Sequence, residues 1–399
     1  MRTNYSAYPL QINEYKLFIL YGVVLFCALL LSYFLTYFFI KLSQRFNFID
    51  YPTERKDHHR PVPLLGGVSV FCSFWAVVFL GILVAQFPAR EIFAGSSVQR
   101  LIDGVVSVYG KILGIFAGGL VILIVGLIDD KADLLPIQKF FGQMVAALIL
   151  MKMGFTISLF VGTGVLGYTV TFVWILLIMN AFNFIDSLDG HCAGIALIAS
   201  MMFFWITQII QQPMVAFFLA TFMGALLGFL PHNFKPAKIF LGDNGSLFVG
   251  YLMAAFTLLC KYQEYKFSYV TIFIPILIFG VPIYDTVSVV VVRTIRGIPF
   301  WKGDRNHFAH RLVKMGMSER AAVIFSYLVQ ATIGLIALLT TQVTAFGSIL
   351  IGFVFTGIIS LIAFLEYYAA RRIQIAERLS QEYRRRKDDF RGEEEKNFL

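Results

Sequence analysis

The chain has 399 residues, of which 58% are hydrophobic, 16% aromatic and only 14% charged, with a formal net charge of +9. A soluble domain carries about 25% charged residues, so a soluble enzyme is excluded; moreover, 16 of the 57 charged side chains fall in residues 371–399, leaving the body poorer still. Four widely spaced cysteines, Cys27, Cys72, Cys192 and Cys260, with no CxxC pair, exclude a disulfide scaffold.

An apolar run of about 18 residues or more is long enough to cross ~30 Å of hydrocarbon as a helix. Eleven such runs are predicted in chain order, at about 18–40, 64–87, 106–128, 140–158, 165–184, 191–210, 214–231, 244–260, 268–292, 322–340 and 345–366. Gly154, Gly162, Gly164 and Gly167 interrupt the fourth and fifth. The first run is too long for the apolar core of a cleaved signal and is expected to remain as a span. The expected fold is all-α and polytopic, with residues 1–17 as a periplasmic N-terminus, 18–366 as the transmembrane domain and 367–399 as a charged cytosolic tail. An odd number of spans puts the termini on opposite sides. Of the 33 Lys and Arg residues, 25 fall in the tail and in the loops after spans one, three, five, seven and nine, which the positive-inside bias assigns to the cytosol. The RRRK stretch at 384–387 obeys the same rule, aided by anionic headgroups, and requires no nucleic acid.

The polar clusters all fall on that cytosolic side. Lys56, Asp57, His58, His59 and Arg60 follow the first span, ahead of Pro61, Pro63, Gly66 and Gly67; Asp129 and Asp130 end the third; Asn180, Asn183, Asp186, Ser187, Asp189 and Gly190 end the fifth. Leu241-Gly242-Asp243-Asn244-Gly245-Ser246 follows the seventh, and Asp304, Arg305, His307, His310 and Arg311 follow the ninth. Each has an ordinary reading when taken alone. An Asp pair suits a helix-end turn, GDNGS suits a helix start with Asp243 or Asn244 as N-cap, and NFIDSLDG is rich in turn residues. His307 and His310 share a face if their segment is helical. Asp285, inside the ninth span, is costly unless it serves a site or pairs with a buried cation.

Together the clusters imply one composite site, because ionisable groups at a membrane's edge are placed where function demands them. Gathered carboxylates and carboxamides repel one another unless a divalent cation sits among them, and Mg²⁺ is the default for hard oxygen ligands. Basic loops facing such a cluster, with glycine-rich turns exposing backbone N–H groups, suit a phosphate or pyrophosphate. Asp129 and Asp130 are adjacent and point about 100° apart if helical, so they are not interchangeable on one atom.

The ordered motifs HxxPxPxxGG (His58 to Gly67), DD (Asp129, Asp130), NxxNxxDxxDG (Asn180 to Gly190), LGDxGS (Leu241 to Ser246) and HxxHR (His307 to Arg311) resemble the polyprenyl-phosphate N-acetylhexosamine-1-phosphate transferases over residues about 50–320. The HxxHR ending is similar to the branch that acts on UDP-GlcNAc; the branch making the first peptidoglycan lipid carries three consecutive histidines there. The resemblance implies transfer of a sugar-1-phosphate from a UDP-sugar to a membrane polyprenyl phosphate, releasing UMP, at the cytosolic face of a bacterial inner membrane.

Residue by residue, the resemblance makes Asp129 and Asp130 the essential pair and Asp186 a further catalytic carboxylate. Asp243 and Asn183 become ligands of Mg²⁺, with Mn²⁺ as a substitute, and Asp189 with Gly190 holds the uracil. His307, His310 and Arg311 grip pyrophosphate and sugar, and Lys56, His58 and Arg60 provide a first-loop contact. Direct displacement is favoured over a covalent intermediate. Two departures bear on the donor: Ser187 stands where glycine is usual, and His191 where an aliphatic residue is common. UDP-MurNAc-pentapeptide or another UDP-N-acetylsugar is the alternative donor. A proton-coupled transporter is the rival class, disfavoured because its ionisable groups belong near the midplane of paired repeats. Dimerisation through a lipid-exposed face is left open.

Overall fold

A computed structural model describes residues 14–52, 60–86, 108–157, 164–260, 273–297, 306–343 and 349–368, with positions 104, 299, 346, 347 and 371 besides. Helices fall across the predicted apolar runs: α1 (Glu14–Arg45), α2 (Gly66–Gln86), α3 (Tyr109–Ala132), α4 (Pro136–Lys152), α5 (Val165–Ile185), α6 (His191–Ile209), α7 (Pro213–Asn233) and α8 (Gly242–Leu259). They continue as α9 (Ile274–Ile278), α10 (Gly280–Ile295), α11 (Phe308–Lys314), α12 (Glu319–Thr340) and α13 (Ile349–Tyr368). Two short strands, β1 (Ile49–Asp50) and β2 (Val62–Pro63), pair antiparallel with Ile49 opposite Pro63 and Asp50 opposite Val62.

Among the described residues, eight helices are long and apolar enough to cross a membrane. With almost no strand, the protein is an all-α, multi-pass membrane protein. Its outer surfaces are greasy: Ile19, Phe26, Phe34 and Phe38 on α1 and Phe353, Leu361 and Phe364 on α13 are exposed, as suits helices that meet lipid rather than water. Buried hydroxyls bond back along their own helices. Thr36 donates to the Ser32 carbonyl, Ser73 to Ser69, Thr171 to Gly167 and Ser326 to Ala322, so each polar group is satisfied without water.

The ninth run departs from expectation. It is predicted as one span and is instead broken at Phe279 into α9 and α10. Pro275, Gly280 and Pro282 cluster there, and prolines remove ladder donors. Gln330 of α12 bridges the gap, accepting from the Val281 N–H at 3.2 Å and donating to the Ile278 carbonyl at 2.7 Å; freed backbone groups at membrane depth need such partners.

Helix α8 is the central post. It packs against α2, α3 and α5, and Leu247, Phe248, Val249, Leu252, Met253 and Phe256 are fully buried. Phe71, Phe74, Trp75 and Phe116 of α2 and α3 gather beside Phe248 in tilted and edge-on ring contacts, the geometry aromatic quadrupoles prefer. At the end of α8 that begins with Gly242, Gly126 of α3 lies so close that a Cβ there would fall 2.3 Å from Asn244 Cα. That close approach brings the end of α3, with Asp129 and Asp130, to the start of α8.

Candidate active site

Four helix ends meet at one place: the C-terminal ends of α3 and α5 and the N-terminal ends of α4 and α8. Their shared centre is the ammonium of Lys139, one turn into α4. Lys139 Nζ lies 3.0 Å from Asp129 Oδ2, 2.8 Å from Asp243 Oδ2 and 3.2 Å from Asn183 Oδ1. Three side-chain oxygens from three different helices therefore converge on a single cation, which the chain itself supplies. Asn183 turns its amide nitrogen the other way, donating to Asp243 Oδ1 and, at 2.9 Å, to Ser246 Oγ. One turn below, Gln143 of α4 and Asn180 of α5 exchange hydrogen bonds of 3.3 and 2.7 Å. The first Asn of the NxxN motif thus ties helices together and the second reaches the site.

Asp129 and Asp130 part company, as adjacent helical positions require. Besides Lys139, Asp129 accepts the Leu134 N–H at 2.9 Å. Asp130 reaches α8 instead: Oδ1 accepts the Asp243 N–H at 2.8 Å, and Oδ2 accepts the Asn244 N–H at 3.1 Å and the Asn244 side-chain amide at 2.5 Å. GDNGS does start a helix, but neither Asp243 nor Asn244 caps it; the cap is delivered across the bundle by Asp130. A carboxylate there also meets the positive end of the helix dipole. Gly242 is required twice over, by its left-handed φ of +72° and by Asp130 Oδ2, which a Cβ would approach to 2.7 Å.

The glycine pair of the first motif corrects another expectation. Its amides are not open to a polyanion: Gly66 N–H donates to the Phe240 carbonyl at 3.2 Å and Gly67 N–H to that of Leu241 at 3.0 Å. Phe240 N–H in turn donates to Pro63 of β2, and Asn244 Nδ2 to the Leu64 carbonyl. This segment is a clamp on the start of α8. Arg60 is exposed just before β2, while Lys56 and His58 lie outside the described residues.

Asp186 follows the last residue of α5 among these carboxylates. Burial, then the negative charges of Asp243 and Asp130, push its carboxyl well above the usual range, with Lys139 only partly offsetting them. Asp189 Oδ2 accepts the Ala237 N–H at 3.0 Å and lines a cleft with Phe234, Lys235 and Arg320. Gly190 is locked by Asn233 Oδ1 on its N–H and by the Tyr327 hydroxyl on its carbonyl. His191, the departure noted above, is buried with Nδ1 2.9 Å from the Ile185 carbonyl, closing the same turn.

His307 stands immediately before α11, and His310 lies one turn into it. The Arg311 guanidinium donates to Glu366 Oε1 of α13 at 2.9 Å, to Ser288 Oγ at 2.8 Å and to the Asn306 carbonyl at 2.5 Å. Asp285, left open between a site role and a cation partner, pairs with His307 at 2.8 Å. Lys139 is the residue that sequence reasoning missed. Its signal in the sequence is the i, i+4 pair Lys139 and Gln143 on α4, opposite Asn180 and Asn183. Among the described residues no three His, Cys, Asp or Glu side chains form a metal-holding group.

Residues 112–261, which contain every side chain around Lys139, match the family described as glycosyl transferase family 4. Over 329 residues the chain is 33% identical to the decaprenyl-phosphate N-acetylglucosaminephosphotransferase of Mycolicibacterium smegmatis, covering 75% of this chain and 77% of that one. The chain belongs to glycosyl transferase family 4. Within the family it is also 29% identical, over 331 residues, to a probable undecaprenyl-phosphate N-acetylglucosaminyl 1-phosphate transferase of Bacillus subtilis, covering 81% of this chain and 86% of that one. With the undecaprenyl-phosphate alpha-N-acetylglucosaminyl 1-phosphate transferase of Escherichia coli it shares 23% identity over 333 residues, 80% of this chain and 82% of the relative. These family members agree with the resemblance carried by the motifs, in superfamily and in bacterial branch.

Proposed function

We propose that this family 4 protein transfers GlcNAc-1-phosphate from UDP-GlcNAc to a polyprenyl phosphate, releasing UMP, at the cytosolic face of a bacterial inner membrane. The observation that carries the proposal is the convergence of Asp129, Asp243 and Asn183 on one cation at the joined helix ends, in a chain whose relatives bear polyprenyl-phosphate transferase names. An eleven-span topology with the C-terminus in the cytosol sets those helix ends at the inner leaflet, where a lipid phosphate and a soluble nucleotide meet.

Joining two phosphates brings anions together, so the barrier is largely electrostatic and the protein's task is neutralisation and alignment. The donor set fits Mg²⁺: Asp243 and Asn183 would hold it, with Asp129 adjacent, because all three offer hard oxygens already aimed at a positive charge. When bound, the metal would supply charge neutralisation at the diphosphate. Lys139 supplies a second positive charge beside it and keeps the carboxylates from repelling one another. Asp130 acts by holding α8, and hence Asp243, in place. Asp129 faces the site and is the group to orient or deprotonate the acceptor phosphate. His307, just before α11, and His310, within it, neutralise the transferred phosphoryl, and Asp189 with Gly190 contacts the base.

Incubation of the purified protein with Mg²⁺, polyprenyl phosphate and a panel of sugar-labelled UDP-sugars tests this. Label should enter the lipid from UDP-GlcNAc with one UMP released per lipid formed. Label from UDP-MurNAc-pentapeptide alone would move the donor assignment, and no labelled lipid from any donor would refute the reaction.

A further inference from the structure

Asp285 is used by none of the roles above, yet it is a carboxylate in an apolar helix and entirely buried, a placement that is costly without a purpose. It lies early in α10. Its Oδ2 is 2.8 Å from His307 Nδ1, and its Oδ1 accepts the backbone N–H of Phe308, the first residue of α11. One turn further along α10, Ser288 Oγ accepts from Arg311 at 2.8 Å. One stretch of α10 thus grips both ends of the His307–Arg311 segment. The His307 ring sits 5.7 Å from that of Phe184, the residue after Asn183, so this histidine borders the strip of chain that carries Asn183 and Asp186.

We propose that Asp285 is a positioning residue for phosphoryl transfer, acting through His307 by fixing which ring nitrogen carries hydrogen and which is turned to the substrate. The proposal rests on the transferase reading above. A carboxylate only accepts, so the hydrogen resides on Nδ1, and Nε2 is the nitrogen left to the substrate, free to take up a proton and only then able to donate to a phosphoryl oxygen. When Nε2 also carries a proton, the buried carboxylate balances the imidazolium, and the ring donates a charge-assisted hydrogen bond without an uncompensated charge in a dry site. A purely architectural Asp285 would need only the Phe308 N–H.

The asparagine variant separates these roles. In Asp285→Asn the carboxamide oxygen can still accept from Phe308, while its NH₂ faces Nδ1 and forces that nitrogen to accept, reversing the tautomer. The full-length protein is compared as wild type, Asp285→Asn, His307→Gln and the double variant, by ring-nitrogen NMR of the six histidines and by UMP release. One histidine should change tautomer in Asp285→Asn, with thermal stability retained. Its kcat should fall about 10²-fold or more with donor KM nearly unchanged, and the double variant should be no slower than His307→Gln alone. An unchanged tautomer, or losses that multiply in the double variant, would overturn the proposal. If Asp285→Asn does not fold, Asp285→Glu serves instead: it should keep the Nδ1–H signal and most of the activity, and loss of the signal in a folded protein would overturn the proposal equally. Should the wild type release no UMP from any donor, the transferase reading fails, while the ring-nitrogen signals still decide the Asp285–His307 arrangement.

Discussion

Lys139 holds together a group of side chains that would otherwise repel. Asp129 and Asp243 both contact it, and it is mostly buried, so Lys139→Met leaves two carboxylates facing each other without compensation. Breaking a buried pair in this way costs about 3–5 kcal/mol. The variant should therefore melt well below wild type in detergent, and Mg²⁺ should raise its melting temperature more than that of wild type, because the divalent ion replaces the missing charge; equal Mg²⁺ shifts would show that the ion does not bind beside Lys139. Asp186 makes the opposite case. Its folded-state pKa is raised by burial and by Asp243 and Asp130, so its contribution is present below the ordinary carboxylate value of about 4 and is lost as pH rises toward the elevated one. Asp186→Asn should melt above wild type at pH 8, with the advantage disappearing by about pH 4; a lower melting temperature at every pH would contradict the crowding. The carboxylates were legible in the sequence because such groups are rare at membrane edges. Lys139 was not, since the positive-inside bias already accounts for any cytosolic lysine.

Among the elements, α8 shows how far a local rule reaches. The glycine-rich run at 241–246 announces a helix start, and capping preferences point to its own Asp243 or Asn244. The cap instead comes from Asp130, on a helix that ends more than a hundred residues earlier, and no rule confined to one segment can find it. The same is true of Gly66 and Gly67, whose amides look available until Phe240 and Leu241 take them. Asp130→Asn tests the cap. Its amide would oppose the α8 N–H groups with hydrogens of its own, costing about 1–2 kcal/mol of stability and displacing Asp243, so UMP release should be lost while the protein still inserts and purifies normally. Full turnover in Asp130→Asn would remove both the cap and the catalytic assignment. The break at Phe279 was half legible: its prolines are plain in the sequence, but Gln330, which makes the break tolerable, lies on a distant helix.

For the whole molecule, hydropathy and the placement of Lys and Arg made the membrane class readable, because a bilayer admits few architectures. The motifs' order along the chain suggested a composite site, and folding does join Asp129, Asn183 and Asp243 around one charge. It also ties Arg311 to Glu366 of α13, a link across the bundle that spacing cannot reveal. In the proposed function, this meeting of helix ends performs metal-assisted transfer between two phosphates. UMP release from UDP-GlcNAc, measured with and without polyprenyl phosphate, with EDTA or restored Mg²⁺, in wild type and in Asp243→Asn, tests it most directly. Wild type should release UMP only when lipid phosphate and Mg²⁺ are both present, and release should fall about 10³-fold or more in the folded variant. Release that survives EDTA, or wild-type turnover by Asp243→Asn, would contradict it.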